Sequence, residues 1–134
     1  MKIEETLVLI KPDGLRKTHE IILKYEERGL KIKKMFLSDA TPEKLAMHYA
    51  EHIHKPFYPE LEQDMMEDHV FVMIVGGENA IAKVRKINGA TNPSEAEAGS
   101  IRGDFAIPGQ SLSKNLVHAS DSYEAAQREM EIWV

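Results

Sequence analysis

The apolar residues of the chain fall into a few well-defined patterns. Thr6–Ile10 (T-L-V-L-I) and Val70–Val75 (V-F-V-M-I-V) are short, nearly unbroken apolar runs, which suits central strands covered on both faces. Leu30–Leu37 alternates at first and predicts a strand with one wet face. Leu116 and Val117 form a brief apolar step that runs straight into His118. Between these stretches the spacing is helical. A helix is expected from about Leu15 to Arg28, with Ile21, Ile22 and Tyr25 on one face and Gly29 as its stop. Thr41 and Pro42 open a second helix, expected to carry Leu45, His48, Tyr49 and His52 until Pro56 breaks it. Phe57-Tyr58-Pro59 starts a third, with Leu61, Met65 and Met66. Gly76-Gly77 reads as a turn into a fourth, Asn79 to Ile87. The last helix starts near Ser122, since Ser120, Asp121 and Ser122 are all good N-caps, and carries Tyr123, Ala126, Met130 and Trp133.

Gly89 to Lys114 lacks periodicity and is rich in Gly, Pro, Asn and Ser. A loop of that length within a small domain is usually functional or disordered. The skeleton that remains is β-α-β-β-α-β, an α/β (α+β) arrangement of the ferredoxin-like kind. It predicts a four-stranded antiparallel sheet with the first and third strands in the centre and helices packed on one face. Residues 1–134 are expected to form one domain.

Composition narrows the chemistry. No cysteine is present, so disulfides, thiolate catalysis and cysteine-bound metals are excluded. No apolar run approaches the ~20 residues of a membrane span, and M-K-I-E-E-T lacks the apolar core of a signal peptide. A cytoplasmic protein with no membrane partner is expected. The net charge of -5 argues against a nucleic-acid partner, which would call for a basic excess. An anionic small molecule would need a few cations gathered in one cleft.

The candidates for such a cleft are Lys11, Arg85, Arg102 and His118. Lys11 stands at a strand end before Pro12-Asp13-Gly14. A lone lysine there is also an ordinary solvated charge, and Arg85 also suits a helix C-terminus. Arg102, next to Gly103 in the long loop, stands where neither packing nor helix electrostatics asks for it. His118 tips a strand before a helix, where an imidazole ring would be exposed on a fixed backbone. An imidazole is largely neutral and nucleophilic at cellular pH, although a histidine at a strand end also serves as a plain polar cap. The chain contains no P-loop and no G-x-G-x-x-G turn. His48-Tyr49-Ala50-Glu51-His52 matches the inverted zinc-peptidase pattern H-x-x-E-H, with two histidines on one helix face. A peptidase also needs a third ligand and a substrate cleft. A non-catalytic ferredoxin-like interaction module is the other alternative, and it would have no use for the nucleophile.

Taken in order, several motifs resemble the nucleoside diphosphate kinase family over nearly the whole chain. They are K-P-D-G at Lys11, H-Y-A-E-H with K-P-F at Lys55, T-N-P at Thr91, I-R-G-D-F at Ile101, N-L-V-H-A-S-D-S at Asn115, and E-x-x-x-W at Glu129. The resemblance implies transfer of the terminal phosphate of ATP or another nucleoside triphosphate onto a histidine, then onto a nucleoside diphosphate, with Mg²⁺ on the phosphates. It implies that His118 is the nucleophile, with Glu129 on its other ring nitrogen and Ser120 steadying Glu129. Lys11 and Asn115 would meet the sugar hydroxyl and phosphates. His52, Arg85, Thr91 and Arg102 would bind phosphate oxygens, with Tyr49 beside the nucleophile. Phe57 would stack on the base, with Leu112 on its far side. A homo-oligomer, tetramer or hexamer, is also implied. Two departures stand out: Ala119 replaces a frequent Gly, and Ile107–Lys114 is about three residues longer than the family's usual form.

Overall fold

In the computed structural model, which describes residues 2–134, Leu7 and Leu9 point to one side of the sheet and Val8 and Ile10 to the other. All four are fully buried. They belong to β1, Ile3–Ile10, which pairs antiparallel with β3, Val70–Glu78, over its whole length from Ile3↔Glu78 to Ile10↔Phe71. β2, Lys31–Ser38, lies outside β3, and the short β4, Val117–Ala119, lies outside β1. The sheet order is β2-β3-β1-β4, antiparallel throughout, which is the expected ferredoxin-like topology with the first and third strands central.

The helices are α1 (Thr18–Glu27), α2 (Pro42–His48), α3 (Tyr58–Met65), α4 (Ala80–Asn88), α5 (Ile101–Phe105) and α6 (Tyr123–Trp133). Contrary to expectation they cover both faces of the sheet. Ile21 and Tyr25 of α1 and Val84 of α4 pack with Val8, Ile10, Met73 and Val75. Leu45 of α2, Leu61 of α3 and Trp133 of α6 pack with Leu7, Leu9, Val70 and Val72. Strands that are apolar on both faces require cover on both, and helices on one side only would leave Leu7 and Leu9 wet.

Several boundaries also differ. Gly76 and Gly77 lie inside β3, opposite Glu5 and Glu4, and the turn falls at Asn79, whose φ is 52°. The first helix begins as a tight 3-10 turn over Pro12–Lys17 before α1. β2 loses its alternation at Ile32/Lys34, where the register against β3 shifts. The long loop is not structureless. It contains a 3-10 turn at Pro93–Glu95 and the five-residue α5, capped by Ser100, whose side chain accepts from the Gly103 amide.

Candidate active site

β4 is only three residues long, and its middle residue is His118. It is entered through Leu116, a buried non-glycine residue at φ 71°, a conformation that persists only when its surroundings fix it. Two contacts do so. The Lys11 amide donates to the Leu116 carbonyl at 2.8 Å, and the Leu116 amide donates to Asp13 Oδ2 at 2.9 Å. Gly14 completes the crossing, because a Cβ there would collide with the Leu116 carbonyl. The K-P-D-G turn is thus built to meet the strand that carries the histidine. Beyond β4, Ser122 caps α6 by accepting from the Ala125 amide at 3.0 Å, which resolves the choice among the three candidate caps.

α6 brings Glu129 back to the strand. Its Oε1 accepts from Nε2 of His118 at 2.8 Å and from Oγ of Ser120 at 2.7 Å. Burial alone would raise this carboxyl. The hydrogen bond and charge of His118, with the Ser120 hydroxyl, outweigh burial and hold it below the usual carboxylate range. An ionised carboxylate only accepts, so Nε2 carries a proton, and in the neutral ring the lone pair is then on Nδ1. No protein group bonds Nδ1 among the described residues.

His48 packs edge-on against this ring, with centroids 4.3 Å apart. Its Nδ1 accepts from the Trp133 indole at 3.0 Å, and its Nε2 is buried with no partner among the described residues. Burial first, then the neighbouring His118, depress its pKa to about 3. Tyr49, whose ring lies 6.3 Å from that of His118, has a buried hydroxyl without a partner among the described residues, and burial raises its pKa. α2 ends at His48, so His52 lies in the following turn, beside Phe57 at 5.6 Å between rings. The pair His48 and His52 therefore does not share a helix face, and the zinc-peptidase arrangement is absent.

Lys11 is buried. Its Nζ donates to Asn115 Oδ1 at 2.8 Å and to the Ser113 carbonyl at 3.2 Å, and Asn115 in turn donates to the Thr91 carbonyl at 3.0 Å. Burial lowers the lysine to about 8, opposed by Asp13 and Asp64 and reinforced by Arg102. Arg102 differs from the sequence expectation. It belongs to α5 and is buried, donating to the carbonyls of Asn115 (3.0 Å), Gly89 (2.8 Å) and Val117 (2.6 Å). Packing does ask for an arginine here, because three backbone carbonyls, at Gly89, Asn115 and Val117, converge on a forked donor.

All the sequence-derived candidates except the buried Ser120 line one cleft of about 900 Å³: Lys11, Tyr49, His52, Phe57, Arg85, Thr91, Arg102, Asn115, His118 and Glu129, with Leu112 at the rim. Sequence reading missed the contact of His48 with His118 and the part of Asp13. Both join positions far apart in the chain, so local spacing gave no signal for either. Among the described residues, the side chains close enough to share a metal are His48, His118 and Glu129, with ligand atoms within 4.8 Å. Two imidazoles and one carboxylate, already engaged with Trp133 and with each other, do not make the octahedral oxygen cage that Mg²⁺ takes.

A family model described as "Nucleoside diphosphate kinase" matches residues 4–134. A nucleoside diphosphate kinase of Thermoanaerobacter sp. (strain X514) is 46% identical over 133 residues, covering 98% of this chain and 96% of its own length. That of Pyrococcus abyssi is 47% identical over 132 residues, covering 97% and 83%. Among solved structures, the apo enzyme of Encephalitozoon cuniculi superposes with a TM-score of 0.92 at 37% identity, covering 98% and 88%. That of Halobacterium salinarum in complex with CDP gives 0.91 at 35% identity, covering 99% and 88%. With the site in hand and likeness along almost its whole length, the chain belongs to the nucleoside diphosphate kinase family, a family of phosphotransferases.

Proposed function

We propose that the chain, acting as one domain, moves the γ-phosphoryl group of ATP or another nucleoside triphosphate onto Nδ1 of His118, then from there to a nucleoside diphosphate. The observation that carries this reading is the hydrogen bond from Nε2 of His118 to Glu129, which leaves Nδ1 as the nitrogen with a free lone pair. In the first half-reaction Nδ1 forms a bond to the γ-phosphorus as the bridging β-γ oxygen leaves with the nucleoside diphosphate. In the second, the terminal oxygen of another diphosphate takes the phosphoryl group and Nδ1 recovers its lone pair. The ring is cationic in between, and Glu129, oriented by Ser120, stabilises that charge. Phosphoryl transfer asks chiefly for positioning and for neutralising charge on the equatorial oxygens. His52, Arg85, Thr91 and Arg102 are assigned to the phosphates, Lys11 and Asn115 to phosphate and sugar, and Tyr49 to the wall beside the nucleophile. Arg102 has donors to spare after its three carbonyls, since a guanidinium has five N–H groups. Phe57 offers a stacking face to the base, with Leu112 on the other side.

Mg²⁺ enters as part of the substrate, on the phosphate oxygens. The partners are nucleoside di- and triphosphates rather than nucleic acid or membrane, and the working form is a homo-oligomer, tetramer or hexamer, in the cytoplasm. No helix among the described residues is long and apolar enough to cross a membrane.

The test is to incubate the protein with γ-labelled ATP and Mg²⁺, isolate it, and chase with unlabelled GDP. Acid-labile label on His118 that leaves with GDP, together with parallel lines in initial-rate plots, is expected. Intersecting lines with no labelled protein would overturn the mechanism.

A further inference from the structure

The longer stretch before Asn115 does not hang free over the cleft. Ser113 Oγ donates to the carboxylate of Asp64 in the last turn of α3, and Ser111 Oγ accepts from the Ser113 amide at 3.2 Å. Lys114 Nζ reaches both carboxylate oxygens of Glu67 at 3.1 Å. Asp64 is buried, and the Ser113 hydroxyl is the one hydrogen-bond donor to its side chain among the described residues. A buried carboxylate without a donor is costly, so the helix and the segment need each other at this point. On its other side Ser113 offers its carbonyl to the ammonium of Lys11. A continuous chain of contacts therefore runs from α3 through Ser113 to Lys11. Leu112 lies next to this anchor and lines the cleft with Phe57.

We infer that Asp64 is a positioning residue for the nucleotide site: by holding Ser113 it fixes the Ser111–Lys114 segment over the cleft and aims the Lys11 ammonium inward. The inference rests on the reading of Lys11 as a substrate ligand. The Lys114–Glu67 pair is more exposed and adds little, as solvent-screened pairs do.

Steady-state kinetics and His118 labelling of five variants test it: Asp64→Ala, Ser113→Ala, the double variant, Asp64→Asn and Glu67→Gln. Asp64→Ala and Ser113→Ala should each raise the KM for nucleoside diphosphate about five- to tenfold, with kcat changed much less, since one charge-assisted hydrogen bond is lost. The double variant should be no worse than the worse single one, because both break the same bond. Asp64→Asn keeps an acceptor and should restore KM to within about threefold, while Glu67→Gln should be silent. A raised KM in Asp64→Ala with a wild-type Ser113→Ala would place the effect in α3 itself and overturn the inference, as would additive losses or an unchanged KM in both. Ser113 lies in a loop, so its variant does not depend on the stability of α3. Wild-type protein that takes no label would instead overturn the functional reading beneath it.

Discussion

The indole N–H of Trp133 donates to Nδ1 of His48 at 3.0 Å, and this one bond fixes the tautomer of a ring packed against His118. His48 is held neutral, with a pKa depressed from 6.5 to about 3, mainly by burial. In the unfolded chain the same imidazole takes a proton below its ordinary value. The unfolded state therefore binds more protons between the two values, and stability falls as pH falls from about 6.5 toward 3. Denaturant unfolding at pH 7.5, 6 and 5 should show a loss of up to about 1.4 kcal/mol per pH unit below 6.5 from this one group. His48→Asn, whose amide oxygen can accept the Trp133 bond, should flatten that slope. An equal slope in the variant would assign it elsewhere.

Glu129→Gln should slow phosphorylation of the enzyme by about ten- to a hundredfold, since charge-assisted hydrogen bonds are worth roughly 1.5–3 kcal/mol. Ser120→Ala should cost less, because it removes only the hydroxyl that orients the carboxylate. Nucleotide affinity should change little in either. Stopped-flow labelling with ATP measures both, and a wild-type rate in Glu129→Gln would remove Glu129 from the site.

Lys11 supplies a pH signature of its own. Burial brings it to about 8, so in the free enzyme the ammonium that the proposed mechanism assigns to phosphate is lost as pH rises through that value. A descending alkaline limb near pH 8 is expected in kcat/KM. Lys11→Arg cannot deprotonate in this range, and should remove the limb while lowering kcat/KM at neutral pH. Persistence of the limb in the variant would assign it to another group.

Phe57 is half exposed at the cleft, with His52 beside it. Stacking recognises a base without identifying it, at about 1–3 kcal/mol per base. Adenine, guanine and pyrimidine nucleotides should have kcat/KM values within about tenfold of one another, and Phe57→Ala should weaken all of them together. A preference of several hundredfold for one base would reveal a hydrogen-bonding pocket.

The sheet was legible where burial wrote it. Thr6–Ile10 and Val70–Val75 mark the centres of β1 and β3, and their double-sided apolarity already required helices on both faces. The strand ends were not legible, because Glu4, Glu5, Gly76 and Gly77 are polar or small and are held by pairing with one another. α5 could not be read either. Five residues around Gly103 offer no helical period, and the helix depends on the Ser100 cap. The cleft residues were readable as motifs. The bonds of Leu116 to Asp13 and of Ser113 to Asp64, and the packing of His118 on His48, join positions far apart in the chain, and local spacing carries no trace of such contacts.

Arg102 ties the Gly89 loop to the Asn115–Val117 stretch through three carbonyls, and also lines the cleft. Its position cannot be tuned for affinity and architecture separately. A lysine there would supply a single point of charge to a junction that asks for a planar fork, so β4 and the Asn115 turn would loosen together with the proposed phosphate site. The junction alone accounts for an arginine here, so loss of activity in an Arg102 variant would not by itself identify a phosphate ligand.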